Sequence, residues 1–116
     1  MKPHITLLTL GVSDLQRAVE FYRDGLGFPT EGIVGAEFTH GAVAFFTLSS
    51  GLKLALWPRE SLAADSGLAL QPPSSTEMSL GHNVASEKEV NDVMQQAAQA
   101  GARIVKPAQA TFWGGY

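Results

Sequence analysis

The chain has 116 residues and no cysteine, which excludes a disulfide framework, thiolate metal centres and cysteine nucleophiles. Hydrophobic residues make up 45% and charged residues 16%, so intrinsic disorder is excluded, and the length holds one domain rather than two independent ones. The formal net charge is −3 and the basic residues are scattered, so no phosphate-tracking stripe exists and nucleic acid is not an expected partner.

The start, Met1-Lys2-Pro3-His4, runs straight into a strand-like segment without the apolar core and small-residue end of a secretory leader. The longest apolar stretches, Ala42–Phe46 and Leu54–Trp57, are far shorter than a membrane span. A cytoplasmic protein with no membrane partner is the expectation.

Ile5 to Val12 (ITLLTLGV) reads as a short buried strand. Ser13-Asp14-Leu15-Gln16 is a capping-box pattern with Ser13 as N-cap and Gln16 three residues on. Leu15, Ala18, Val19, Tyr22 and Leu26 then form the apolar stripe of an amphipathic helix, with Gly25 and Gly27 at its end and Pro29 blocking continuation. Residues 36–40 (AEFTH) read as a strand turning at His40-Gly41. Ala42–Ser49 and Leu52–Trp57 read as a hairpin about Ser50-Gly51. The first half is thus β-α-β-β-β.

Residues 58–77 hold three prolines and four serines without periodicity and read as a linker, either a surface wrap or a lid. Met78–Val84 reads as a strand. Ser86-Glu87-Lys88-Glu89 is a second capping box, followed by a helix with Val90, Val93, Met94 and Ala97 on one face and a stop at Gly101. Ala102–Val105 resumes a strand, and Phe112-Trp113-Gly114-Gly115-Tyr116 closes the sequence. The halves match each other in order, with Val12-Ser13-Asp14 aligning on Val84-Ala85-Ser86-Glu87 to within a residue, as in a duplicated module.

The segment Leu10–Phe28 (LGVSDLQRAVEFYRDGLGF), the hairpin AVAFFTLSSGLKLALWP and the later GARIVKP resemble the vicinal oxygen chelate superfamily: glyoxalase I, bleomycin-resistance proteins and extradiol dioxygenases. The pattern V-x-D-L-x-x-A-x-x-F-Y-x-x-x-L-G, at Val12 to Gly27, carries the likeness, which extends over nearly the whole chain. It implies an α+β fold of two paired βαβββ modules: one at 1–57, a linker at 58–77, and an incomplete second module at 78–116 without its last strands. It also implies a cavity in which, among the enzymes, a divalent metal chelates two substrate oxygens.

Residue by residue, the implied ligand positions fall on Leu7, on Ser79 and near Ala55, none of which suits a divalent ion that takes imidazole or carboxylate. The remaining ligand, a Glu in a D-x-D-G-x-x-W-E-like strand, would follow Tyr116. His4 and His82 each lie three residues from a ligand position, an odd offset that turns a strand residue to the other face. His82 reads as a packed histidine and His40 as a solvated turn residue. The expectation is therefore no metal and no cofactor at this site.

Strand alternation then puts Ile5, Leu7, Thr9 and Gly11 toward the cleft and Leu8, Leu10 and Val12 toward the helix. Lys53, Ala55 and Trp57 join the cleft from the hairpin, and Ser79, Gly81 and Asn83 join from the second half. The expected ligand-binding set is Leu7, Thr9, Lys53, Ala55, Trp57, Ser79, Asn83 and Trp113, a mostly apolar lining with a few polar points. Trp57 either stacks on a flat ligand or plugs the sheet. Lys53 either meets an anion or reaches the rim. Trp113 is either a pocket wall or part of a frayed end.

The leading expectation is metal-free binding of a small apolar or aromatic molecule, with catalysis left open. The alternative is a metal-dependent glyoxalase-like lyase or isomerase, or a dioxygenase, with ligands elsewhere; Glu37 and His40 are then the nearest acid–base candidates. A third reading is a degenerate module acting through a dimer surface. An open sheet edge points to a homodimer.

Overall fold

A computed structural model describes residues 1–116. Its elements run β1 (Leu7–Val12), α1 (Leu15–Glu20), a π-helical turn (Phe21–Gly25), β2 (Thr30–Val34), β3 (Val43–Thr47), β4 (Lys53–Pro58), α2 (Arg59–Ser66) and α3 (Glu87–Gln99). The chain divides into two compact units, Met1–Gln71 and Pro72–Tyr116.

The first unit is a four-stranded sheet in the order β1-β4-β3-β2. β2, β3 and β4 form an antiparallel meander, and β1 lies parallel to β4 with Leu7 opposite Lys53, Thr9 opposite Ala55 and Gly11 opposite Trp57. Strand alternation divides the side chains as expected. Leu8, Leu10 and Val12 turn to the helical face and pack on a core of Val19, Ala44, Phe46, Leu54 and Leu56. All five core residues are at most 2% exposed.

The first helix begins differently from the expected pattern. Its N-cap is Asp14, whose carboxylate accepts the Arg17 amide at 3.0 Å; Gln16 bonds Glu20 rather than returning to the cap. A carboxylate accepts more strongly than a hydroxyl and also meets the positive end of the helix dipole, so Asp14 prevails over Ser13. After one and a half turns the helix widens, with the Leu26 amide reaching back five residues to the Phe21 carbonyl at 2.9 Å. Gly27, at φ 78°, completes the stop, and the Phe28 amide bonds the Tyr22 carbonyl at 2.9 Å. This exit brings three rings together: Tyr22 lies 5.9 Å from both Phe28 and Phe46, centroid to centroid. Burial in this apolar cluster raises the Tyr22 phenol above its ordinary value.

Strand assignment between the helix and the hairpin changes. The strand is Thr30–Val34, and residues 36–40 are turns. The glycine at position 32 disguises β2, because it sits at φ 91° in a bulge between Thr30 and Ile33 that breaks the apolar alternation. The hairpin turn is also one residue longer than expected. The Gly51 amide bonds the Leu48 carbonyl, the Leu48 amide bonds the Leu52 carbonyl, and Gly51 takes φ 87°. This is a three-residue loop with a glycine bulge.

The segment expected to be an irregular linker opens with a helix. Pro58 leads into α2, and Gly67 ends it at φ 72°. Proline is well placed at a helix start because its missing N–H needs no partner there. Arg59 ties this segment down by donating to the Gln71 carbonyl.

The second unit retains the expected helix but not the expected strands. Ser86 caps α3 by accepting from the Glu89 amide at 3.1 Å, and the Glu89 carboxylate accepts from the Ala85 amide at 2.8 Å, one residue before the position a standard capping box uses. Residues 78–84 and 102–105 form no sheet ladder. None of this unit's residues is buried, and two short strands, the first interrupted by Gly81 and Asn83, would not hold a sheet by themselves. At the end of the chain, the Thr111 amide bonds the Gly115 carbonyl at 2.8 Å and Tyr116 donates to Asn91 at 3.1 Å. The aromatic terminus is tied to α3 rather than frayed.

Candidate functional site

The sheet face opposite α1 carries the candidate site. Leu7 and Thr9 reach it from β1, Val43 and Phe45 from β3, and Ala55 and Trp57 from β4. With His40 and Gly41 they line a concavity of about 220 Å³. Four of the expected site residues, Leu7, Thr9, Ala55 and Trp57, thus come together. Ala55 is the floor. It lies between Thr9 and Phe45 in the ladder and is only 2% exposed because larger neighbours shade its single methyl.

One wall is the loop between β2 and β3, and its geometry is set by two glycines. A Cβ on Gly35 or Gly41 would collide with the carbonyl oxygen of the other. Bonds from the Phe38 amide to the Gly35 carbonyl and from the Gly41 amide to the Phe38 carbonyl, at 3.1 and 3.0 Å, close the loop on itself. His40 takes φ 55°, a left-handed conformation costing a non-glycine residue about 1 kcal/mol. Two contacts offset this cost. The Trp57 indole N–H donates to the His40 carbonyl at 2.9 Å, and the imidazole Nδ1 lies 3.2 Å from the Ser61 hydroxyl. His40 is the exposed turn residue expected, and these two contacts anchor it. Ser61, on α2, is 4% exposed.

α2 bounds the site at its β1 end. Gly11 has no side chain, and a Cβ there would meet the Arg59 side chain at 3.2 Å and Leu62 at 3.4 Å. The helix can approach the sheet because that position is glycine.

A second concavity, of about 500 Å³, opens farther along the same face. Pro29, Thr30, Glu31, Gly32, Val34, Phe45, Thr47 and Lys53 line it. Phe45 is common to both. Lys53, expected in the first concavity, belongs to this one: it is two residues from Ala55, on the same face but one step along β4. Thr30 does not offer its hydroxyl freely, since it donates to the Phe45 carbonyl at 2.6 Å and accepts from the Gly32 amide at 3.1 Å.

Ser79, Asn83 and Trp113 contribute to neither concavity. They are exposed residues of the second unit, and Trp113 stands edge-on to Phe112 with ring centroids 4.7 Å apart. The sequence reading missed Val43 and Phe45, which strand alternation opposite Ala55 could have supplied. It also missed His40 and Gly41 as wall residues, since no pattern in the sequence announces a closed loop of that shape.

The fold resemblance implies a divalent metal, and the donor chemistry here does not fit one. Leu7 and Ala55 occupy two of the implied ligand positions and carry no donor atom. No group of three or more His, Asp or Glu side chains converges anywhere in the chain. His40 is the one imidazole in the concavity wall.

Comparison with known proteins agrees with the architecture. Residues 3–116 match the Glyoxalase/Bleomycin resistance protein/Dioxygenase superfamily, and the chain belongs to that family. It is similar to a glyoxalase-related enzyme from Fulvimarina pelagi, with 32% identity over 97% of this chain and 75% of that one, at a TM-score of 0.78. A glyoxalase/bleomycin resistance protein/dioxygenase from Nocardioides shares the fold at 23% identity and a TM-score of 0.71, covering 97% of this chain and 72% of that one. A family enzyme from Burkholderia phytofirmans PsJN does so at 16% identity and a TM-score of 0.73, over 94% and 82%. No curated protein matches the chain.

Proposed function

We propose that this family member binds a small, flat, apolar or aromatic molecule without a metal, against the sheet face formed by β1, β4 and β3. The observation that carries the proposal is the gathering of Leu7, Thr9, Ala55, Trp57, Val43 and Phe45 around one concavity whose implied metal-ligand positions lack donor atoms. Apolar lining with one or two polar groups at the wall is the ordinary character of a small-molecule site. Trp57 presents a large face whose indole N–H is already engaged by His40, so its ring is held in place before a ligand arrives.

The test is twofold. Titration with 2-naphthamide, a neutral bicyclic probe, is expected to perturb Trp57 fluorescence and the NMR signals of Ala55 and Phe45. Metal analysis of protein purified without chelators is expected to find less than stoichiometric Zn, Ni, Mn or Fe. Stoichiometric metal with hemithioacetal isomerisation or catechol cleavage would replace this reading with the enzymatic one.

We read the protein as a homodimer of single-domain chains. β1 and β2 are both margins of the sheet, and a free margin is a template for pairing with a second copy. Light scattering after size exclusion measures this directly, and a monomer at micromolar concentration contradicts it. No helix is long and apolar enough to cross a membrane, and the lack of cysteine suits the cytoplasm.

A further inference from the structure

The two concavities share a wall but differ in chemistry. Around Ala55 and Trp57 the lining is almost wholly apolar. Around Thr47 the lining carries one cation, Lys53, and one anion, Glu31. These two do not neutralise each other: the ion pairs of this protein are Arg23–Asp24 and Lys88–Asp92. In the ladder Lys53 sits between Leu7 on one side and Thr47 on the other, so its nearest companions across the strands are an apolar side chain and a hydroxyl. Lys53 and Ala55 are two residues apart on one strand face, about 7 Å.

From this we infer that the preferred ligand is an aromatic monocarboxylate, its ring over Ala55 beside Phe45 and Trp57 and its carboxylate at Lys53 and Thr47. The inference rests on the binding role proposed above and adds the chemistry of the ligand's polar end. An ammonium on a flexible stem supplies a charge-assisted hydrogen bond, and the Thr47 hydroxyl supplies a neutral one. Glu31 in the same concavity limits the charge: it repels a dianion such as a phosphate monoester more than a single carboxylate. Phe45 borders both regions on one sheet face, and the separation of Ala55 from Lys53 matches the ring-to-carboxylate reach of one molecule of modest length.

The experiment compares 2-naphthoate, 2-naphthamide and 2-naphthyl phosphate by calorimetric titration of the whole chain. Naphthoate is expected to bind about five- to tenfold more tightly than the amide, the range for one charge-assisted bond at a solvent-exposed lysine. Lys53→Met, which keeps the apolar stem, removes the preference for naphthoate over the amide, and Lys53→Arg preserves it. Glu31→Gln raises the affinity of the phosphate. Equal binding of naphthoate and amide, or a preference that survives Lys53→Met, overturns the inference and leaves the proposed binding role standing. Tighter binding of the phosphate than of naphthoate by the wild-type chain overturns the monoanion assignment. Failure of all three probes to bind overturns both readings.

Discussion

The indole N–H of Trp57 donates to the backbone carbonyl of His40 at 2.9 Å, joining the last strand of the sheet to the loop before β3. This bond fixes two walls of the candidate site relative to each other, because His40 also reaches Ser61 on α2 through its ring. Trp57→Phe keeps an aromatic face and deletes the donor. It is expected to lower stability by about 1 kcal/mol, the usual net value of one hydrogen bond, read as a lower urea midpoint with an unchanged slope. Affinity for a naphthyl probe is expected to fall as well, since the ring is no longer held. A variant as stable as the wild type would show that the bond contributes nothing to the fold.

Gly41→Ala tests the closed loop. The added methyl collides with the Gly35 carbonyl and lies 2.8 Å from the Phe38 Cβ, so the loop must open. The expected cost is about 2 kcal/mol, within the range for forced overpacking, measured by thermal unfolding. Because Gly41 and His40 line the concavity, probe binding is expected to weaken together with stability.

Phe45→Ala separates binding from folding. Phe45 is 43% exposed and stands outside the buried core, yet it lines both concavities. Truncation is expected to cost about 1 kcal/mol of stability, well below the 3–5 kcal/mol of a fully buried phenylalanine. Loss of probe affinity is expected to be tenfold or more, by titration. Unaltered affinity would move the ligand off this face.

Tyr22 sets a limit on alkaline stability. Burial raises its phenol, so the folded chain retains the proton at a pH where the unfolded chain has released it. The contribution is complete below the unfolded value near 10 and is lost as pH rises from there through the folded value. Tyr22→Phe is expected to flatten the decline of stability above that point, checked by denaturation midpoints across the alkaline range. An identical slope in wild type and variant would refute the assignment.

Much of the first unit was legible in the sequence because its signals are periodic. The two faces of β1, the apolar stripe through Leu15, Val19 and Tyr22, and the β3–β4 hairpin follow from alternation and helical spacing, and the family likeness follows from Val12–Gly27. β2 was not legible, because Gly32 bulges the strand where alternation would have marked it. The N-cap was ambiguous between Ser13 and Asp14, which only geometry resolves. The strands expected at 78–84 and 102–105 had suitable residues, but a strand exists only with a hydrogen-bonding neighbour, and pairing is not written in local composition. Of the eight expected site residues, four fell together because they share one sheet face. Lys53 fell one step along it. Ser79 and Asn83 were placed by analogy between halves, which holds for the helix but not for the strands around it, and Trp113 was placed by the family resemblance alone.

The parallel pairing of β1 with β4 has a kinetic consequence. Leu7 and Lys53 are 46 residues apart in sequence (53 minus 7), whereas the β2–β3–β4 meander closes through short turns. Ring closure over so long a stretch is entropically slow, so β1 is expected to dock late onto the three-stranded meander. Two of the eight residues around the apolar hollow, Leu7 and Thr9, are supplied by that last arrival. During refolding, recovery of probe binding should therefore lag behind recovery of the Phe46 core.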